Sequence, residues 1–136
     1  MADVLLRLEA YTGESVWRDR ARDVLTAWAT HYEASGVAAA AYGQALLRYL
    51  ERPDHIIVVG SRDDPSARRL HGAALTAPRP LRTVQLLDAN DPADARRMAA
   101  AGFARTAVPM AYVCRGATCL APITDPDELG LPLPQA

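Results

Sequence analysis

The first fifty residues repeat apolar positions at the three-to-four spacing of amphipathic helices. One face of a first helix is predicted from Val4, Leu5, Leu8 and Tyr11, and Gly13 is placed to end that helix in a left-handed conformation. A second helix is predicted from residue 14 or 15 to Gly36, and its apolar stripe comprises Trp17, Ala21, Val24, Leu25, Trp28 and Tyr32. The short connection between the two helices predicts a helical hairpin.

A third helix is predicted over residues 37–51, because the pattern continues and Pro53 then prevents further helix. The apolar side chains that this helix is expected to bury are Leu46, Leu47 and Leu50. The chain therefore begins with a helical segment over residues 1–53.

The pattern changes after Pro53 to short apolar runs that are separated by helix-start signals. Residues 55–60 form a continuous β-branched run, which is typical of a strand that is covered on both faces. Asp64-Pro65 and Asp91-Pro92 each combine an N-cap carboxylate with proline at the first helical position, and they predict helices over 65–75 and 93–101. Residues 83–87 predict a second strand, and Gly102 is placed to end the second of these helices.

A β-hairpin is predicted from two apolar runs, 109–114 and 119–123, that flank a short connection containing glycine. A turn centred between residues 116 and 117 predicts the cross-strand pairs Cys114/Cys119, Val113/Leu120, Tyr112/Ala121, Ala111/Pro122 and Met110/Ile123. Opposed Cα atoms in such a ladder lie ~4.5–5.5 Å apart, a separation that a disulfide can span. A last helical turn over 125–129 and a proline-rich tail from Gly130 complete the chain.

These elements predict a mixed α/β fold. A helical hairpin and a third helix come first, and a small βαβα unit with a C-terminal β-hairpin occupies residues 54–136. The two strands of the βαβ part are expected to be parallel and to join the cysteine hairpin in one sheet.

The cysteine segment also carries a resemblance to a known family. Ala-Tyr-Val-Cys, four residues, Cys and then Ala-Pro-Ile-Thr-Asp-Pro-Asp-Glu-Leu resembles the C-terminal end of thioredoxin-domain-containing proteins related to spermatogenesis-associated protein 20. Similar words occur at Leu5-Leu6-Arg7-Leu8 and at Ile56-Ile57-Val58-Val59-Gly60. The resemblance implies a C-terminal module whose thioredoxin-like domain and most of whose six-hairpin-glycosidase-like α/α barrel are absent here, in a family of poorly defined activity. It also implies that the helical hairpin is the last hairpin of that barrel.

Composition limits the classes of partner. The formal charge is −1 and the pI is about 6.3, so the chain lacks the clustered positive charge that nucleic acids and anionic membranes require. All fifteen basic residues are arginine, which we interpret as a composition bias rather than as anion binding. The sequence has no membrane-spanning run and no basic-then-apolar signal, and a cytoplasmic location is the expectation. There the two cysteines are expected to be mainly reduced unless they cycle.

Residues 60–62 and 88–90 follow the two parallel strands, at the edge where open α/β sheets place their ligands. A phosphate or nucleotide site is one interpretation. Plain helix capping is favoured, because Asp63, Asp64 and Asp91 already place carboxylates at the helix starts and would repel phosphate.

A sugar site is suggested by the tryptophans Trp17 and Trp28 together with helical carboxylates, since glycosidases combine such groups. The carboxylates concerned are Glu14, Asp19, Asp23 and Glu33. The spacing favours core tryptophans and a solvated charged face. The histidines His31, His55 and His71 show no metal-binding spacing, so no metal and no cofactor is predicted.

Three interpretations of Cys114 and Cys119 stay open: a pair of buried structural thiols, a redox-active disulfide, and half of a metal site that another chain completes. The favoured function is a non-catalytic structural or interaction module. It would form a homo-oligomer or complete a barrel supplied by a partner chain. Thiol–disulfide chemistry at the cysteine pair is the alternative, and a remnant of a carbohydrate-processing barrel enzyme is a second one.

Overall fold

The computed structural model describes residues 1–116 and 118–130, except for the side chains of Glu33 and Ala38. Within this part of the chain, five α-helices and a four-stranded sheet confirm the mixed α/β class. The chain divides into two compact units, one ending at Pro53 and the other beginning at Asp54. Each unit has its own core.

The first unit is built from three helices: α1 (Ala2–Thr12), α2 (Val16–Trp28) and α3 (Ala39–Glu51). Gly13 ends α1 in the left-handed region at φ 74°, as predicted, and its N–H donates to the Glu9 carbonyl. The buried hydrophobic side chains of this unit are small or aliphatic: Ala2, Leu5, Leu6, Ala21, Leu25 and Ala45.

The predicted second helix is too long. α2 ends at Trp28, where the Ala29 N–H donates to the Thr26 carbonyl three residues back and tightens the last turn. A 3₁₀ segment, Glu33–Ala38, follows, and Gly36 inside it has a positive φ of 52° that interrupts the helical path. The third helix consequently begins at Ala39 rather than at residue 37.

The predicted buried faces of these helices are also partly wrong. Val4 and Tyr11 of α1 are exposed, and so are Trp28 and Tyr32. On α3, Leu47 and Leu50 are exposed, while Leu46 is only partly buried against the core. A unit of 53 residues has only a small core. Much of the apolar surface of its three helices therefore remains exposed.

α3 instead turns Ala45 and Arg48 inward. The Nε of Arg48 donates to Oδ1 of Asp3 at 2.7 Å, and Arg7 donates to the other carboxylate oxygen at 2.9 Å. Partial burial opposes ionisation of Asp3, but the hydrogen bond and charge of Arg48, with those of Arg7, lower the pKa of this carboxyl below its usual value. The buried face of α3 therefore contains a guanidinium, whereas the sequence pattern predicts that its leucines are buried.

The second unit contains the strands β1 (His55–Val59), β2 (Thr83–Leu87), β3 (Met110–Arg115) and β4 (Thr118–Cys119), with the helices α4 (Pro65–Thr76) and α5 (Pro92–Ala101). The predicted N-caps are confirmed, because the Asp64 carboxylate accepts the Ser66 N–H and the Asp91 carboxylate accepts the N–H groups of Ala93 and Asp94. Gly102 ends α5 at φ 76°.

The strands form one sheet in the order β2-β1-β3-β4. β1 and β2 are parallel as predicted, while β3 is antiparallel to both of its neighbours, β1 and β4. Four of the five β1 residues are buried, which agrees with a strand covered on both faces. α4 covers the face of Ile56 and Val58, and Met98 of α5 packs on the opposite face.

The hairpin register is correct near the cysteines and wrong beyond them. Cys114 pairs with Cys119, and the Leu120 N–H donates to the Val113 carbonyl at 3.0 Å. Ala111, however, pairs with Ile123 and not with Pro122, through two hydrogen bonds of 2.8 Å. Proline has no N–H to donate, and one extra residue in the returning segment brings Ile123 into the buried core.

The predicted last helical turn is a 3₁₀ segment, Pro126–Gly130, with Leu129 completely buried against the core beside α4. The predicted tail lies outside the described residues from position 131 onward.

Candidate functional site

Cys114 and Cys119 are joined by a disulfide whose sulfurs are 1.99 Å apart and whose Cα atoms are 3.9 Å apart. The bond lies across a non-hydrogen-bonded pair, since the adjacent pair Val113/Leu120 carries the ladder hydrogen bond. Side chains are closest at such pairs. Gly116 has a positive φ of 61°, which lets the chain turn between the two short strands.

The two sulfur-bearing residues lie in different surroundings. Cys114 is 6% exposed and packs in a cluster with Ile57, Val59, Leu87 and Met98. Cys119 lies on the two-residue edge strand β4 and is exposed. The interpretation of the pair as two buried thiols is therefore wrong, because the sulfurs are bonded and one of the residues is exposed.

His55 lies opposite Cys114 in the register of β1 and β3. Burial lowers the pKa of His55 to about 4, although a hydrogen bond between its side chain and that of Gln85 on β2 acts in the opposite direction. At neutral pH the disulfide therefore has an uncharged imidazole beside its buried end.

Asp54 precedes His55 and is buried at the end of the sheet. One of its oxygens accepts from Nε and Nη2 of Arg115 at 3.0 and 2.8 Å, and the other accepts from Nη1 of Arg79 at 2.9 Å. The carboxylate thus binds the start of β1 to the end of β3, next to the cysteine hairpin. Two guanidinium groups on one carboxylate leave one unit of positive charge near the turn.

The carboxyl ends of β1 and β2 are occupied by the chain's own charges. The buried Asp88 carboxylate accepts the N–H groups of Arg62 and Asn90, both at 2.9 Å, and these bonds lower its pKa. The Arg62 guanidinium contacts Asp91 at 3.4 Å and the buried Asp94 at 2.5 Å. A phosphate would meet three carboxylates here, so helix capping accounts for this edge of the sheet.

The tryptophans and carboxylates of the sugar-site interpretation, which the spacing disfavours, do not share one environment. Trp17 packs partly against the helical core, whereas Trp28 is 49% exposed. Asp19 and Asp23 are exposed and contact Arg22 at 3.3 and 3.7 Å, which agrees with a solvated charged face. The side chain of Glu33 lies outside the described part of the structure.

Within the described residues, no group of three or more histidine, cysteine, aspartate or glutamate side chains is placed to hold a metal ion. His31 is exposed in the segment that follows α2, and His71 lies on α4. Only His55 of the three histidines is aligned with a cysteine in the sheet register.

The neighbours of the disulfide carry no local signal in the sequence. His55 is 59 positions from Cys114, and Asp54 is 61 positions from Arg115, so neither pair has a local signal. An antiparallel alignment of residues 55–59 with residues 110–114 places His55 opposite Cys114 and Asp54 opposite Arg115. This alignment can be chosen only when the order of the strands in the sheet is known.

Comparison with known proteins identifies no relative of this chain. No family model, no curated protein and no solved structure matches the chain. No helix in the described ranges combines the length and the apolar character that a membrane crossing requires.

Proposed function

We propose that this chain is a non-catalytic structural and interaction module that associates through its helical unit, and that it corresponds to the C-terminal part of a thioredoxin-domain and α/α-barrel protein. The observation that carries the association is the apolar surface of residues 1–53. Besides Met1, this unit exposes eight large apolar side chains: Val4, Tyr11, Val16, Trp28, Tyr32, Val37, Leu47 and Leu50.

The second unit exposes far fewer large apolar side chains than the helical unit. Among the described residues from Asp54 onward, only Leu75 and Val108 are large apolar side chains with comparable exposure. Single exposed apolar residues are ordinary, but a concentration in one small unit is typical of a contact surface. Leu47 and Leu50 are three residues apart on α3 and 46% and 66% exposed, so they share one helix face.

The occupant that we propose for this surface is the helical unit of a second copy. Residues 1–53 contain six arginines and seven carboxylates, a net charge of −1, so two copies repel each other little. Both signs also occur on the same helices, as in the pairs of Arg22 with Asp19 and of Arg7 with Asp3. Mixed charges allow a self-complementary contact around a two-fold axis.

Sedimentation velocity over a wide concentration range tests this proposal. The wild-type chain, of 14.7 kDa, should show a mass that rises to that of a dimer or larger assembly. Leu47→Asp/Leu50→Asp should weaken association at least tenfold, while Leu75→Asp, at a 51%-exposed site in the other unit, should leave it unchanged. A wild-type monomer at the highest concentration, or equal effects of the two variants, would contradict the proposal.

A thiol–disulfide function at Cys114 and Cys119 is a second candidate, and the observation that favours it is the closed bond with an exposed residue at one end. Structural disulfides are commonly protected on both sides, whereas exposed ones are the more readily exchanged. Titration in a glutathione series should then show one reversible two-electron transition, which Cys114→Ser/Cys119→Ser lacks. Thiols that form only after the protein unfolds would exclude this function.

A further inference from the structure

The disulfide is asymmetric in a way that assigns different roles to its two ends. Cys119 is exposed on the edge strand β4, while Cys114 is 6% exposed under α5. Thiol–disulfide exchange requires an incoming thiolate to reach one sulfur from outside. The exposed end is the one that solvent and a dissolved thiol approach.

We infer that Cys119 is the sulfur that exchanges with an external thiol, and that Cys114 is the buried leaving thiol. This inference rests on the proposed thiol–disulfide function of the pair. The class of co-substrate is a thiol, either a small monothiol such as glutathione or a dithiol.

The exchange proceeds in two balanced steps. A thiolate RS⁻ attacks Sγ of Cys119, the bond between RS and Cys119 forms, and the bond between the two protein sulfurs breaks. The electron pair stays on Sγ of Cys114, which takes a proton from water. A second thiolate then attacks the RS sulfur, RSSR is released, and the electron pair stays on Sγ of Cys119, which takes a proton from water. Two external thiols are thereby oxidised and one protein disulfide is reduced.

The burial of Cys114 favours this order over the reverse, because apolar side chains cover Cys114 while Cys119 is exposed. The neighbours Ile57, Val59 and Met98 leave a departing thiolate little water, which slows its departure, so access rather than leaving-group acidity decides which sulfur is attacked. His55 opposite Cys114 adds no positive charge at neutral pH, because burial lowers the pKa of its imidazole. His55 therefore does not supply the cation that activates attacking cysteines.

Two guanidinium groups supply positive charge at the end of the sheet that carries the disulfide. Arg115 is three positions before the edge strand β4, its side chain is 55% exposed, and it shares the Asp54 carboxylate with Arg79. The excess of one positive charge in this group favours the approach of an anionic thiol. Screening by salt limits this contribution at an exposed position.

Peptide mapping of the trapped intermediate tests the inference on the intact chain. The oxidised protein is mixed with glutathione under native conditions, quenched with iodoacetamide and digested with trypsin. Cleavage after Arg115 separates the cysteines, because peptide 106–115 contains Cys114 and peptide 116–136 contains Cys119. We expect glutathione on 116–136 in at least tenfold excess over 106–115.

The reduced single variants provide an independent readout. Cys114→Ser, which keeps Cys119, should form a mixed disulfide with oxidised glutathione at least tenfold faster than Cys119→Ser, which keeps Cys114.

Repeating the peptide mapping with dithiothreitol and with glutathione distinguishes a dithiol from a monothiol co-substrate. Only the dithiol closes its own ring and releases both protein thiols in one encounter.

The outcomes separate this inference from the function on which it rests. A reversible two-electron titration with the adduct on 106–115, or with equal adducts on the two peptides, overturns the assignment of Cys119 and leaves the redox function standing. No adduct on either peptide in the folded protein, together with no titration, overturns both.

Discussion

His55 of β1 and Cys114 of β3 are directly opposed in the sheet, with the disulfide to Cys119 extending from the same position toward the edge strand. Thr83 of β2 continues the row on the other side of His55. One row across four strands thus contains a buried threonine, an uncharged imidazole and the two bonded cysteines. The pH dependence of stability should report on this row.

Acidification from pH 7 to pH 5 should destabilise the protein through His55. Because burial lowers the folded-state pKa of His55 from 6.5 to about 4, the unfolded chain binds its proton first, and stability falls as the pH drops through this window. The expected loss at pH 5 is roughly 2 kcal/mol. Denaturant unfolding at both pH values measures it.

The matched variants are His55→Gln, which should remove most of that pH dependence, and His31→Gln at an exposed position, which should retain it. The lowered pKa values of Asp3 and Asp88 place their folded-state titrations below this window. Equal pH slopes for wild type and His55→Gln would refute the assignment.

Gly60→Ala should destabilise the second unit by about 1–3 kcal/mol, because the added methyl group would overpack the structure at this point. A Cβ on Gly60 would lie 2.9 Å from the Cβ of Ala67 and 3.1 Å from that of Pro109. Gly72 lies inside α4 and a Cβ there meets nothing within 4 Å. Gly72→Ala should therefore stabilise by about 0.5–1 kcal/mol, and thermal unfolding of the two variants should move in opposite directions.

Asp54→Asn should cost about 3 kcal/mol of stability, since it leaves the guanidinium of Arg79, 13% exposed, beside a neutral amide. Asp19→Asn removes one carboxylate from an exposed pair with Arg22 and should change the free energy of unfolding by less than about 0.5 kcal/mol. Urea unfolding curves of both variants measure the difference. Similar small effects would mean that the Asp54 group does not hold the two strands together.

Cys114→Ser/Cys119→Ser should fold nearly as stably as the wild type under reducing conditions, where neither protein has the bond. The closed loop spans only five positions in sequence, so the oxidised wild type should gain about 2 kcal/mol or less from it in the chain-entropy model. Unfolding with and without reductant gives both quantities. A large stability gap in reductant would instead assign the thiols a packing role.

The sequence determined the features of this protein that depend on neighbours in the chain. Asp64-Pro65 and Asp91-Pro92 start helices because the cap and the proline act on N–H groups two or three residues away. The same locality explains the helix ends at Gly13 and Gly102. The pairing of Cys114 with Cys119 follows from a short turn, which fixes the register of the residues on either side.

Only the tertiary structure decided the features that depend on distant contacts. Leu47 and Leu50 fit a buried stripe by spacing, yet Ala45 and Arg48 face the core because Asp3, 45 positions earlier than Arg48, supplies its counter-charge. Ile123 replaces Pro122 opposite Ala111 because a paired backbone needs an N–H and the core needs an apolar side chain. The position of His55 beside the disulfide likewise required the strand order. Periodicity describes which residues share a face, while the available partners decide which face is buried.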